Sequence, residues 1–340
     1  MIVISKNFRL KLEEILKGDL PAKAYNDTEK NVLKLIRLWF SDSQTFEHTT
    51  SGSTGKPKVI MVDKEKIKTS ANATMEYIDP EGALRKSLLC LNPRHIGGAM
   101  VVYRAIIYDQ DLVIAEPSAN PFDEPFFLEE EFDLTSMVPL QFKSLSANQI
   151  DRFKVILIGG APMPLITTKF KAQVYETFGM TETVSHVALR SLDKAFFKTV
   201  GDVVTDTTSE GTLKIKGSVT NNEWIITNDV VDLASSSAFK WIGRRDFIIN
   251  TGGVKVNPEK VEAILSEQLT RDFILGSLPD ERLGRKVVLI SDGDPVALDF
   301  STLERYERPK ETYFNCQIFK TSSGKIDRRK TQRFFENTPK

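Results

Sequence analysis

Between residues 59 and 162 short apolar runs alternate with helix-like segments, and this alternation restricts the fold more than any other feature of the chain. Residues 59–62, 87–91, 112–115, 134–138 and 155–158 read as strands, being short, apolar and bounded by turn residues. Residues 64–77 read as a helix with Asp63 as its cap, 98–108 as an apolar helix, and a further helix starts near Phe142. Strands separated by helices predict an α/β fold with a mostly parallel, helix-covered sheet. In such sheets ligands sit beyond the carboxyl ends of the strands. Glycine-containing turns follow or flank strands at 52–55, 97–98 and 159–160.

The flanking regions have a different texture. Residues 8–17 and 28–40 carry helical apolar spacing and predict a short helical lead-in. From about residue 185, short runs at 187–189, 212–216, 224–227 and 230–233 are separated by Gly, Asn and Ser, which predicts an antiparallel subdomain. The polar turn Gly243-Arg244-Arg245-Asp246 is the expected boundary, dividing the chain into a large domain of residues 1–243 and a smaller one of 244–340. Beyond it, Asn257-Pro258-Glu259 opens a helix running to about Leu269, with proline in the first turn. Strands near 273–275 and 287–290 make this second part a compact α+β unit.

Composition excludes several classes of function. Lys plus Arg equals Asp plus Glu at 46 each, so no basic field invites nucleic acid. The two cysteines, Cys90 and Cys316, have no metal-binding or redox spacing and suit a reducing cytoplasm. The start, Met1-Ile2-Val3-Ile4-Ser5-Lys6, lacks the pattern of a secretory signal, and no run approaches the ~18 apolar residues that span a bilayer. A cytoplasmic globular protein is expected, with a homo-oligomer left open.

One stretch carries chemistry on its face: Thr49-Thr50-Ser51-Gly52-Ser53-Thr54-Gly55-Lys56-Pro57-Lys58. Glycines let backbone close around an anion, hydroxyls and freed N–H groups donate to its oxygens, and lysines neutralise its charge. The stretch reads either as a polyphosphate cradle or as a Ser/Thr/Gly surface loop. It is not the common nucleotide loop G-x-x-x-x-G-K-S/T, because only two residues separate Gly52 from Gly55 and Pro57 follows Lys56.

Later motifs decide between those readings. Tyr175-Glu176-Thr177-Phe178-Gly179-Met180-Thr181-Glu182-Thr183 resembles the Y-G-x-T-E segment of the acyl-adenylate-forming superfamily of acyl-CoA synthetases, luciferase-like enzymes and adenylation domains. Thr50–Lys58 resembles its phosphate loop, Asn228-Asp229 its T-G-D motif, and Gly243–Asp246 its hinge motif. Lys320-Thr321-Ser322-Ser323-Gly324-Lys325 resembles its closing P-K-T-x-x-G-K. All five stand in the superfamily's order across residues 49–325. Asn92–Gly98 and Ile158–Pro164 look most like the 2-succinylbenzoate–CoA ligases of menaquinone synthesis. The chain departs from the pattern at Asn228 for Gly, Phe178 for Tyr and Phe319 for Pro. Its lead-in before the loop is short, so an N-terminal subdomain, with part of the acyl pocket or an oligomer surface, is expected to be largely missing.

The resemblance implies ATP-dependent adenylation of a carboxylic acid, then transfer to coenzyme A, with Mg²⁺ as cofactor. Thr50, Ser51, Gly52, Ser53, Thr54, Gly55 and Lys58 would hold phosphates. Gly159, Gly160 and Ala161 offer bare backbone to an adenine, with Phe178 as the opposing ring. Gly179 and Met180 would line the nucleotide, Thr181 would touch the α-phosphate, and Glu182 would hold the metal. Asp229 with Arg244 would take the ribose hydroxyls. Lys325, carried in by a mobile C-terminal domain turning about Asp246, would stabilise the attacked phosphorus. His95, with a structural role as the plainer reading, and Arg94, a surface group or the partner of a dicarboxylate such as 2-succinylbenzoate, would line the acyl and CoA pockets together with Gly252 and Gly253. An enzyme loading a carrier-protein thiol and a non-catalytic nucleotide-binding relative are the other readings.

Overall fold

The structure, a computed structural model, describes residues 1–18, 20, 25–49, 59–127, 129–163, 165–320 and 326–338. Among them the largest sheet has thirteen strands. Six lie parallel, in the spatial order Ile2–Ile4, Asp111–Ile114, Lys86–Leu89, Phe132–Met137, Phe153–Ile158 and Gln173–Gly179. Their near-continuous apolar runs are those of strands buried on both faces. Period-two alternation sends Leu89, Leu112 and Ile114 to the helices Asp27–Trp39 and Ile96–Ile107, and Leu134, Val155 and Leu157 to Lys64–Ile78. It sends Leu88, Val113, Ile156 and Ile158 to the opposite face, against a cluster that includes Phe122, Phe127, Phe142 and Phe153. That second face is covered by two single 3₁₀ turns and the short helices Pro139–Ser144 and Ala147–Ile150.

Past Gln173–Gly179 the sheet turns antiparallel, through His186–Ser191, Phe197–Thr199, Ala238–Arg244, Ile225–Ser235, Thr212–Lys216 and Val204–Thr207. Residues 224–227 and 230–233, expected as separate strands, belong to the single strand Ile225–Ser235, because an irregularity at Val230/Val231 lets pairing with Ala238–Arg244 continue. The chain after Arg244 builds separate sheets. One is the hairpin Ile249–Thr251 and Val254–Val256, whose turn residues Gly252 and Gly253 have φ of +58° and +82°, the left-handed conformation that tight hairpin turns demand. The other joins Phe273–Asp280, Gly284–Ser291 and Glu311–Tyr313, with helices Pro258–Leu265 and Arg328–Asn337. The helix expected to reach Leu269 stops at Leu265.

Four further details differ from the sequence reading, each for a local reason. The β-branched run Ile2–Ile4 adds a parallel strand to the sheet and Arg9–Lys11 pairs back on it as the edge, leaving only Leu12–Lys17 helical in the first segment. Gly97 and Gly98 sit inside the first turn of helix Ile96–Ile107; a Cβ on Gly98 would stand 2.4 Å from the Asn92 carbonyl oxygen, so bare backbone lets the preceding loop lie on the helix. Asp63 holds the cap position of Lys64–Ile78, but its side chain makes no cap hydrogen bond. Finally, Thr45–Thr49 and Val59–Asp63 pair as a hairpin outside the large sheet, so the hydroxyl-rich stretch joins two antiparallel strands instead of ending a parallel one.

Two histidines are sealed into the large domain. His48 shares a hydrogen bond of 3.1 Å with the Tyr103 hydroxyl, and His186 Nε2 one of 2.7 Å with Thr74 Oγ1. Burial pushes their pKa values down to about 4 and about 3, the Arg104 cation adding to the effect at His186. Both rings are therefore neutral in the fold, while in the unfolded chain they protonate near the ordinary pKa of ~6.5. As pH falls below that value the unfolded state gains protons first, and stability is lost down to the folded pKa values. Urea unfolding at pH 7.5 and 4.5 is expected to show a drop of roughly 3–6 kcal/mol from the pair. His186→Gln should shrink the drop; an unchanged pH difference in that variant would remove the explanation.

Candidate active site

The glycine-rich turn at 159–160 follows the central parallel strand Phe153–Ile158, where a parallel sheet presents its ligand end. Gly159 donates its N–H to the Met137 carbonyl at 3.0 Å, and a Cβ there would lie 2.6 Å from Thr177 Oγ1. Gly160 has a φ of +88°, so the turn needs a residue without a side chain. Ala161 follows, and Gly160 and Ala161 are both exposed. Pairing of Ile158 with Glu176 sets this shelf beside the neighbouring strand, which ends in Phe178 and Gly179. The Phe178 ring is half-buried and held edge-on by Phe239 and Phe197, at 5.1 and 5.9 Å. It belongs to the core on one side, which fixes its position, and remains partly open.

Gly179 cannot carry a side chain either, since a Cβ would meet the Ser185 carbonyl oxygen at 2.2 Å. The chain doubles back there through the 3₁₀ turn Thr181–Thr183. Thr183 Oγ1 staples that turn, accepting from Met180 N–H at 3.2 Å and lying 2.7 Å from the Ser185 carbonyl. Val184, just past it, holds φ +67° and ψ −58°, a conformation that a β-branched residue keeps only when its surroundings enforce it. The consequence is a rigid turn with Glu182 exposed and Thr181 half-buried. No group of three His, Cys, Asp or Glu that could hold a metal occurs among the described residues.

On the antiparallel side, Asp229 and Arg244 face each other across paired strands. Asp229 is buried, and its Oδ1 accepts from Trp241 Nε1 at 2.9 Å, which orients the carboxylate and leaves its other oxygen available. Arg244 is half-buried. Glu259, in the first turn of helix Pro258–Leu265, stands close enough to feel Asp229, Arg244 and Arg328. Burial is the main cause that pushes its carboxyl up, and the two arginines oppose it. Trp241 and Glu259 were not singled out from sequence; neither sits in a recognisable motif.

The feature that sequence reading missed outright is Arg104. It lies in the otherwise apolar helix Ile96–Ile107 and is 2% exposed. One Nη donates to Ser136 Oγ at 3.0 Å, while Nε and the other Nη have no partner, and no carboxylate pairs with it among the described residues. Ser136 is the penultimate residue of strand Phe132–Met137, next to the strand that runs into the Gly159 shelf. Burial pulls the guanidinium down to about 10, a measure of how poorly the charge is solvated. A lone arginine in the run Ile-Gly-Gly-Ala-Met-Val-Val-Tyr-Arg-Ala-Ile-Ile was a legible signal, since charges on an all-round apolar helix are buried for a reason.

The remaining candidates lie on the periphery. Arg94 is exposed, its N–H tied to Asn92 Oδ1 at 3.0 Å; His95 is exposed at the N-cap of helix Ile96–Ile107. Gly252 and Gly253 are exposed in their hairpin turn, with Gly252 N–H donating to Leu283 O at 2.9 Å. At the expected boundary, neighbouring residues are tied in opposite directions: Arg245 pairs with Glu210, in the turn between Val204–Thr207 and Thr212–Lys216 of the large sheet, and Asp246 with Arg329 of the C-terminal helix at 2.5 Å. Thr50, Ser51, Gly52, Ser53, Thr54, Gly55, Lys58 and Lys325 lie outside the described residues; the strands that flank the first seven do not.

Several known proteins are similar to this chain. The family model described as AMP-binding enzyme matches residues 41–215. The probable 2-succinylbenzoate–CoA ligase of Mycobacterium tuberculosis is 29% identical over 362 residues, covering 93% of this chain and 92% of that protein. The 2-succinylbenzoate–CoA ligase of Listeria monocytogenes is 26% identical, covering 89% and 73%. Among solved structures, an acyl-CoA synthetase (AMP-forming)/AMP-acid ligase II-like protein from Dyadobacter fermentans is 32% identical with a TM-score of 0.60, covering 92% of this chain and 95% of that one. The Bacillus subtilis o-succinylbenzoate CoA synthetase with its acyl-adenylate shares the fold at a TM-score of 0.71 and 20% identity, covering 86% and 69%.

Proposed function

Since the chain belongs to the AMP-binding enzyme family, we propose that it is an ATP- and Mg²⁺-dependent acid–thiol ligase that makes a coenzyme A thioester, with 2-succinylbenzoate as the acid. A carboxylate oxygen attacks the α-phosphorus of ATP, and the bond to pyrophosphate breaks. The thiol of coenzyme A then loses its proton, attacks the acyl carbon, and AMP leaves. The relatives in Mycobacterium tuberculosis and Listeria monocytogenes carry the name of that reaction.

Each group has a task suited to its setting. Residues 50–55 and Lys58 meet the β- and γ-phosphates. The Gly159–Ala161 shelf and the Phe178 ring flank the adenine, a flat apolar body that bare backbone and an aromatic edge both accommodate. Asp229, oriented by Trp241, accepts from two adjacent ribose hydroxyls, and Arg244 neutralises it from the paired strand. Gly179, Met180 and Thr181 line the α-phosphate. Glu182 fits Mg²⁺, which takes one or two carboxylates and fills its shell with phosphate oxygens and water. When bound, the ion supplies charge neutralisation to the polyphosphate. Arg244 ends the large sheet, so the residues after Asp246, and not 244–340, act as a lobe that turns about Asp246, bringing Lys325 to the phosphorus and afterwards Thr251–Gly253 to the thiol, with Arg94 and His95 at the pocket mouth. The proposed compartment is the cytoplasm, where thiols such as Cys90 stay reduced; no helix among the described residues is long and apolar enough to cross a membrane.

The observation that carries the choice of acid is the Arg104 guanidinium. A buried cation with no counter-charge among the described residues is costly, and its Nε and one Nη have N–H groups left to donate to a carboxylate. A dicarboxylic acid supplies one carboxylate to the chemistry and a second to Arg104. Pyrophosphate release across a panel of carboxylic acids tests the reading. The expected result is turnover with 2-succinylbenzoate and little with acids lacking the second carboxylate; no release with any aromatic acid would refute the class.

A further inference from the structure

We infer that Glu176 and Arg190, a buried ion pair, are positioning residues for the nucleotide, because together they hold both walls of the slot assigned to adenine. The inference rests on the reading of that slot given above. The two residues oppose each other across antiparallel strands and are each 6% exposed. Their hydrogen bonds converge on Met163, two residues past the shelf. Glu176 Oε1 accepts the Met163 N–H at 3.0 Å, and Arg190 donates to the Met163 carbonyl at 2.7 Å. Arg190 also donates to the Lys194 carbonyl at 2.8 Å, and its guanidinium lies over the Phe197 ring at 5.4 Å. Phe197 in turn holds Phe178, the opposite wall.

What makes this more than a core ion pair is the segment it holds. Two parallel neighbours, Phe153–Ile158 and Gln173–Gly179, are joined through residues 159–172, where a crossover helix is the usual solution. Here the described residues of the connection contain neither helix nor strand. Without a helical ladder its main-chain groups need outside partners. The charged pair captures both groups of Met163, four residues past Gly159, so the shelf's height and tilt depend on it. A buried pair is seldom the most stable filling for its volume, and an apolar pair often does as well or better. Its contribution is geometric: only a planar fork opposite a carboxylate reaches two main-chain carbonyls, one carboxylate and a ring at once.

The test uses the full chain, with ATP affinity from calorimetry and separate KM values for ATP, acid and coenzyme A. Arg190→Met is expected to weaken ATP binding and raise its KM about tenfold or more, with KM for the other two substrates nearly unchanged. Glu176→Gln, which keeps an acceptor for Met163 N–H, should show a smaller shift in the same direction. Arg190→Lys should restore part of the loss, since it can pair with Glu176 but cannot span both carbonyls. A folded Arg190→Met with wild-type ATP affinity would overturn the inference, as would a uniform loss for all three substrates that follows thermal stability. If Arg190→Met does not fold, wild-type ATP affinity in Glu176→Gln and Arg190→Lys alike overturns it. Failure of the wild type itself to bind ATP would overturn the proposed function; failure of the variants alone to differ removes only the clamp.

Discussion

Lys325→Ala is expected to cut pyrophosphate release from ATP and acid by roughly 10²–10³-fold, the usual cost of losing one preorganised group that meets transition-state charge. The same variant, given a ready-made acyl-adenylate and coenzyme A, should form thioester at close to the wild-type rate. The asymmetry follows from the charge balance. In the first half-reaction an anion attacks a polyanion, and negative charge grows on oxygens around phosphorus, so one ammonium group is worth most there. In the second, a thiolate attacks a carbonyl whose leaving group already carries its phosphate, and the proposed turn of the lobe would carry Lys325 away. Measuring the two half-reactions separately decides the matter: equal loss of both would contradict the division of labour and, with it, the proposed turn about Asp246.

Arg104→Met is expected to lower kcat/KM for the dicarboxylic acid by about 10²-fold, in line with the 2–5 kcal/mol typical of truncating one member of a buried charge pair. For an analogue with the second carboxylate esterified, the rate should hardly change. The same substitution should leave thermal stability unchanged or raise it. Methionine fills the apolar helix face, and the fold no longer shelters a cation whose Nε and one Nη lack partners. Activity falling while stability holds is the signature of a group kept for its ligand. A variant that loses stability and loses activity equally on mono- and dicarboxylic acids would assign Arg104 to the core and leave the acid unexplained.

These two residues also mark the limits of reading the chain alone. Lys325, Glu182, Asp229 and the glycines at 159 and 160 sit in contiguous motifs, because a tight turn or a backbone approach to phosphate imposes its demands on neighbouring residues. Gly160 and Gly179 illustrate this: one needs a positive φ, the other has no room for a Cβ, and both were legible as glycines in a motif. Arg104 stands out as the one charge in an apolar helix but belongs to no motif that says what it does. Its meaning depends on what surrounds it in space: the fold buries it beside Ser136, whereas Arg94, ten positions earlier, is exposed. Trp241 and the pair Glu176–Arg190 are of the same kind, each defined by a partner that the fold supplies.

The alternation of apolar strands and helices was enough to determine a largely parallel, helix-covered sheet with an antiparallel extension, since hydrophobic periodicity is a local property and buried strands must be apolar throughout. Tertiary structure decided where elements broke that rule: the hairpin whose strands flank the hydroxyl-rich stretch, the connection 159–172, whose described residues contain no helix, and the strand Ile2–Ile4, last of the parallel strands. In the last two cases backbone groups found partners farther along the chain, and such pairing leaves no periodic trace by which a sequence could announce it.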